Sequence, residues 1–165
     1  MPSADLAEVP GWRERLCGCS ARLGSEKLEA VPAFKWRSIM PSSVKEMLTV
    51  ANAAVPRVPP AEARALIDRG NALIVDVRDP SEVQASGKIK GAVNVSRGML
   101  EFRADPESPY YNEAFQKDKT VLVYCASGGR SALVGKTLKD FGYATVFNIG
   151  GFKELTDGGL ETEPA

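Results

Sequence analysis

Cys125 is the residue of this chain best placed to do chemistry. It closes the apolar run Thr120-Val121-Leu122-Val123-Tyr124 and is followed by Ala126-Ser127-Gly128-Gly129-Arg130. A thiol attacks as its thiolate, and a free thiol with a pKa of ~8.5 is only a few per cent ionised at neutral pH. The usual base for activating it is missing, because the chain contains no histidine. Ser-His-Asp and Cys-His pairs are therefore excluded, and a zinc site would lack its commonest ligand. Activation has to come from hydrogen bonds and fixed charge.

The residues after Cys125 can supply both. A glycine-rich turn folds successive backbone N–H groups inward as a nest for an anion, and Gly128 and Gly129 permit the backbone angles this needs. A helix starting near Arg130 adds the positive end of its dipole. Lowering a thiol pKa by about two units takes ~2.7 kcal/mol. A helix N-terminus gives ~0.3–1 kcal/mol, up to ~2 in partly buried sites, and charge-assisted amide hydrogen bonds can supply the rest. The candidate loop is thus Cys125 with Ala126, Ser127, Gly128, Gly129, Arg130 and Ser131. The alternative is an inert buried cysteine, which the ordered set of strand, Cys, glycines, Arg and helix disfavours. Arg130 either faces the pocket and attracts an anionic donor, or faces outward and braces the loop against an acid. The first is favoured, since a cation at the rim of a nest strengthens anion binding.

Other chemistry-bearing residues have plainer readings. Asp76, Arg78 and Glu82 form an acid–arginine cluster at a strand end, more often a structural network than a catalytic set. Cys17-x-Cys19 lacks the further ligands needed to close a zinc site. The charges of residues 99–119 read as a solvated face, and no metal or cofactor is expected.

The elements that position Cys125 can be read from periodicity. Ser43 and Glu46 fit a capping box, with Val44, Met47, Leu48 and Ala51 on one helical face. Pro60 suits a first helical position, Ala63, Leu66 and Ile67 repeat at helical spacing, and Gly70 closes that helix. Leu73–Val77 reads as a strand of the buried parallel type, and Val93–Val95, Thr120–Tyr124 and Thr145–Ile149 read as further strands. Short helices are expected near Pro80 and over Phe152–Leu155. A longer one runs from Ser131 to Phe141, with Leu133, Val134, Leu138 and Phe141 inward. This alternation predicts an α/β domain over residues 40–165, a parallel sheet with helices on both faces. Residues 1–39, with scattered prolines and no lasting period, read as an irregular or disordered leader.

The chain has 165 residues, 44% apolar, with Lys+Arg and Asp+Glu both at 21. That is one domain without the basic excess of a nucleic-acid binder. No apolar run approaches the ~20 residues of a membrane helix, and no secretory signal core is visible. Three cysteines make a poor disulfide framework, so a cytoplasmic location is expected.

From Met40 to Pro164 the chain resembles the single-domain rhodaneses, a sulfurtransferase family. Asp76-Val77-Arg78-Asp79-Pro80-Ser81-Glu82 is similar to their first-strand signature. Gly87-Lys88-Ile89-Lys90-Gly91-Ala92-Val93-Asn94 is similar to the second, with Lys88 where the family usually has histidine. Cys125 to Arg130 matches the active loop, and Asn148 to Phe152 the closing Gly-Gly segment. The resemblance implies a three-layer domain with a five-stranded parallel sheet. It also implies a two-step transfer of sulfur through a persulfide on Cys125. The implied partners are a small anionic sulfur donor and a thiol, cyanide or protein acceptor. Ala126 stands where members that favour thiosulfate often carry a basic residue, which leaves the donor open. Two rival readings are a non-catalytic rhodanese-like binding module and a cysteine phosphatase of related fold. Phosphatase loops place arginine six positions after the cysteine, whereas Arg130 follows Cys125 by five.

Overall fold

Apolar runs bounded by glycine and polar residues pair here as a parallel sheet. The structure, a computed structural model, describes residues 43–165. The stretch 1–39, with Cys17 and Cys19, lies outside these residues. Strands β1 (Ala72–Asp76), β2 (Lys88–Ile89), β3 (Val93–Asn94), β4 (Thr120–Cys125), β5 (Val146–Gly151) and β6 (Thr162–Glu163) are interspersed with a 3-10 turn (Arg97–Met99) and six α-helices. These are α1 (Val44–Ala54), α2 (Pro60–Asp68), α3 (Pro80–Ser86), α4 (Leu100–Ala104), α5 (Gly129–Asp140) and α6 (Phe152–Asp157). The main sheet is parallel, in the order β3-β1-β4-β5, and β2 and β6 form a separate antiparallel pair.

The sheet therefore has four strands where five were expected. At the β5 edge the fifth position is occupied by a single parallel bridge, Arg57 to Asn148. Val58 donates its N–H to the Asn148 carbonyl at 3.0 Å, and Asn148 donates its own to the Pro56 carbonyl at 2.9 Å. Pro56, Pro59 and Pro60 surround this segment. Proline has no N–H to give to a ladder, so pairing cannot extend beyond the bridge.

Alternation along β1 and β4 divides the core in two. Leu73, Val75, Val121, Val123 and Cys125 face Val55, Leu100, Val134 and Leu138 of the α1, α4 and α5 layer. Ile74, Leu122 and Tyr124 face Ala63, Ile149 and Leu155 on the other side, with α2 and α6. Two faces covered by helices explain why these strands are apolar throughout.

Helix starts follow their capping residues. Ser43 accepts the Glu46 N–H at the start of α1, and Pro60 occupies the first turn of α2. At the start of α3 the Asp79 N–H donates to Glu82 Oε2 at 3.1 Å. Two expected faces differ. Val44 and Met47 are 66% and 42% exposed. Leu48 already lies against Gly129, the first residue of α5, so the preceding turn of α1 projects past its partner. On α5 the buried line is Ala132, Val134 and Leu138, while Leu133 is half-buried and Phe141 is exposed. The helix ends at Asp140, and Gly142, with φ +88°, turns the chain so that Tyr143 enters the core instead. Its hydroxyl donates to the Ala104 carbonyl at 2.9 Å.

Helices α1 and α5 approach closely because Gly135 has no side chain. A Cβ there would sit 2.8 Å from Val55 Cγ1 and 3.1 Å from its Cγ2. Alanine favours a helix interior over glycine by ~0.8–1 kcal/mol, but overpacking a tight core costs ~1–3 kcal/mol. Val55 is β-branched and buried, so it cannot turn aside. Gly135→Ala is therefore expected to lower stability by about 1 kcal/mol in a denaturant titration. Gly135→Ala combined with Val55→Ala should recover part of that loss.

Candidate active site

Strand β4 ends on Cys125 with the thiol turned to the α5 side, and the residue is 1% exposed. Gly128 caps α5 in the left-handed region, φ +96°, a conformation that costs a residue with a Cβ. The chain can then double back so that the Gly128 N–H points at Cys125 Sγ at 3.1 Å. Ser131, one turn into α5 and fully buried, brings its hydroxyl to 3.7 Å from the same sulfur. Burial raises the thiol's pKa, but hydrogen bonds from the Ser127 and Ser131 N–H groups, the Ser131 hydroxyl and the Gly128 N–H outweigh it. The net shift is downward. Ala126 and Ser127 form the exposed outer edge of the turn.

Gly129 does not share the role expected for both glycines. Its φ is not positive, because it is already the first residue of the helix. A Cβ there would meet only Leu48 Cδ2, at an ordinary 3.8 Å.

Arg130 makes the contact with acids that the bracing alternative expected. Its Nη1 and Nη2 bind Glu82 Oε2 and Oε1 at 2.6 and 2.8 Å, and Asp79 Oδ2 lies 3.6 Å from Nη1. This fork commits two of the five guanidinium N–H donors to Glu82. Hydrogen bonding to Arg130 holds the Glu82 carboxyl down at about 2, and Arg130 is raised in return. The Arg130 charge still reaches Cys125 through space.

Asp76 and Arg78 are buried, at 0% and 3% exposure, and joined at 2.7 Å between Oδ2 and Nη2. The guanidinium also donates to the Gly87 carbonyl and Ser86 hydroxyl and lies 4.1 Å from the Phe152 ring centroid. Its partners tie β1 to the end of α3 and to α6, a bracing arrangement. Lys88 spans from the Ala92 carbonyl to Glu163 across the β2–β6 pair, away from the thiol.

Three further residues secure the loop from the β5 side. Asn148 is 1% exposed; its Nδ2 donates to the Gly128 carbonyl at 3.0 Å, and its Oδ1 accepts from Ser131 Oγ at 2.8 Å. A lone amide inside the apolar run 146–149 is a readable signal, since a buried polar side chain must find partners. Arg57, paired with Glu154 at 2.6 Å, lays its guanidinium over Gly128 and Gly150. No local signal marks it, because its place comes from strand pairing. Among the described residues no group of Cys, Asp and Glu could hold a metal ion, and no helix is long and apolar enough to cross a membrane.

The geometry gives two tests. A Cβ on Gly151 would lie 2.6 Å from the Ala126 carbonyl oxygen and 3.2 Å from Ser127 Cα. Both are backbone atoms of the loop, so Gly151→Ala must displace it. It is expected to return the Cys125 alkylation midpoint toward that of a free thiol. For Arg130, replacing the fork by a single ammonium removes one of two hydrogen bonds to Glu82. Arg130→Lys should lower stability by about 1 kcal/mol, a figure held down by solvent screening. It should slow reaction with anionic and neutral sulfur donors alike; selective loss with the anionic donor would restore a charge-steering role.

Residues 59–157 match the family model described as the Rhodanese-like domain. The chain is 31% identical over 98 residues to a thiosulfate sulfurtransferase GlpE from Tolumonas auensis, covering 59% of this chain and 84% of that protein. A solved protein of unknown function from Rhodopseudomonas palustris, described as a possible tyrosine phosphatase, is 44% identical with a TM-score of 0.69. The match covers 75% of this chain and 99% of that one. The polysulfide-sulfur transferase homodimer from Wolinella succinogenes is 32% identical with a TM-score of 0.60, over 73% and 87% of the two chains. On the loop, the sheet order and these matches, the chain belongs to the rhodanese-like sulfurtransferase family.

Proposed function

We propose that Cys125 accepts a sulfane sulfur from a small donor, such as thiosulfate or a related persulfide, and passes it to a thiophilic acceptor. In loading, an electron pair on Sγ forms a bond to the donor's outer sulfur, and the donor's S–S bond breaks with its pair on the leaving group. In discharge, the acceptor's pair attacks that outer sulfur, and the Sγ–S bond breaks with its pair returning to Sγ. Neither step needs a general base if the thiol is already ionised. The observation that carries the reading is the cradle around Sγ. The Gly128 N–H lies at 3.1 Å and the Ser131 hydroxyl at 3.7 Å, and the pKa is lowered despite burial. N–H groups converging at the head of a helix also suit the anionic outer sulfur of a persulfide.

The Rhodopseudomonas neighbour makes phosphate-ester hydrolysis the second reading. It is disfavoured by the loop length, since Arg130 follows Cys125 by five positions where phosphatase loops have six, and two of the five Arg130 N–H donors are already committed to Glu82. The acceptor is a thiol, cyanide or a protein thiol; all three take sulfur by the same displacement.

The test is treatment with a donor panel followed by mass spectrometry, with cyanide as acceptor. The wild type should gain one sulfur atom on Cys125 and lose it to cyanide, and Cys125→Ser should do neither. Iodoacetamide alkylation against pH should show a midpoint below that of a free thiol. An ordinary midpoint with no sulfur gain would leave the binding-module reading, and turnover of an aryl phosphate dependent on Cys125 would favour the phosphatase.

A further inference from the structure

We propose that Asn148 is a positioning residue that parks the Ser131 hydroxyl while Cys125 carries sulfur and releases it to Sγ when the thiolate returns. The inference rests on the sulfur-transfer reading. Ser131 Oγ has one proton and three acceptors: Asn148 Oδ1 at 2.8 Å, the Gly128 carbonyl at 3.0 Å and Cys125 Sγ at 3.7 Å. Ser131 is fully buried, so water is not a fourth. The Gly128 carbonyl already accepts from Asn148 Nδ2 at 3.0 Å and from the Ala132 N–H at 3.1 Å, which fills its two lone pairs. The choice is therefore between Asn148 Oδ1 and the sulfur.

Charge decides that choice. A thiolate is an ionised acceptor, and hydrogen bonds to ionised groups are roughly twice as strong as neutral ones. Once Sγ is bonded to a second sulfur it is neutral and a weak acceptor; the charge has moved one bond out, to the outer sulfur held by the loop N–H groups, and Sγ no longer competes with the amide oxygen. Releasing the hydroxyl costs Asn148 little, because Oδ1 keeps the Gly150 N–H at 3.0 Å. No buried polar atom is orphaned in either position. Asn148 serves twice: Oδ1 is the acceptor while Cys125 carries sulfur, and Nδ2 occupies the Gly128 carbonyl so that the hydroxyl is not trapped there.

The two half-reactions should feel this differently. During discharge, charge grows on Sγ as the S–S bond breaks, and the incoming hydroxyl stabilises the leaving thiolate. During loading, the thiolate gives up that hydrogen bond, and its loss is offset by higher nucleophilicity of the unbonded sulfur. The other charged groups around the loop are Arg130 with Glu82 and Asp79 on the α3 side, and Arg57 with Glu154 on the β5 side. The test variants leave all of them in place.

The experiment is single-turnover kinetics of the full chain, with loading from thiosulfate and discharge to cyanide followed separately. The pH is held above the Cys125 alkylation midpoint of each variant. Ser131→Ala, which removes one oxygen and orphans no partner, should slow discharge by about tenfold and change loading by less than about threefold. Asn148→Ala should show a weaker split in the same direction, since the vacated Gly128 carbonyl, 3.0 Å from the hydroxyl against 3.7 Å for Sγ, then competes for it. The double variant should be no slower than either single one within about twofold. Equal slowing of both half-reactions, or multiplied effects in the double variant, overturns the inference while sulfur transfer stands. Should Asn148→Ala fail to fold, the split in Ser131→Ala still decides. If Cys125 takes up no sulfur from any donor, both readings fall together.

Discussion

A negative charge on a sulfur that is 1% exposed can exist only if the protein replaces the water it excludes. Burial alone drives a thiol toward its neutral form. Here the leading opposing contributions come from backbone N–H groups and one hydroxyl, with the Arg130 charge acting only through space. Those donors work only if they point at one spot, so the requirement passes from electrostatics to geometry. The turn after Cys125 must curl tightly, stay curled and lose little entropy when the charge appears. Much of the sheet's C-terminal edge serves that requirement.

The loop is held from two sides. On one, the Arg130 fork closes on Glu82, whose carboxylate also accepts the Asp79 N–H at the start of α3. On the other, Asn148 binds the Gly128 carbonyl, and Gly151 lies so close behind Ala126 that no side chain fits between. Beneath both, the Asp76–Arg78 pair anchors the ends of β1 and α3. Its guanidinium rests on Phe152 of α6. Removing one partner from a buried pair of this kind leaves an uncompensated charge, so these residues act on the site without touching it.

The parts legible in the sequence were those fixed by local chemistry. Period and capping residues marked α2, α3 and α5 to within a residue or two. The order of strand, cysteine, glycines and arginine placed the thiol at a strand end before a helix. What escaped depended on partners distant in the chain. The pairing of Arg130 depends on Glu82, 48 positions away. Exposure of Val44 and Met47 follows from where α5 begins, and the burial of Tyr143 in place of Phe141 from the turn at Gly142. The missing fifth strand is a middle case. The prolines at 56, 59 and 60 were plain to see, but their consequence, a ladder cut down to one bridge, needs the neighbouring strand to be known.

That bridge and the irregularity in β5 belong to one device. The register shifts between Val123 and Tyr124: Val123 pairs with Asn148, Tyr124 with Gly150 and Cys125 with Gly151. Ile149 is thus the extra residue of a bulge, and it turns into the opposite core layer. A bulge bends its strand and re-aims the side chains beside it. Asn148 is left on the face of Val123 and Cys125, one step below the thiol, while Gly150, at φ +94°, and Gly151 pass beneath the loop where a side chain would collide. The backbone of Asn148 is meanwhile occupied by Pro56 and Val58 across the bridge, so the residue is fixed on its outer side as well. A regular strand would have set the glycine pair and the amide at other heights. With the bulge, one residue's side chain reaches the loop while its main chain is locked to the sheet edge, and the cradle inherits the rigidity of the sheet.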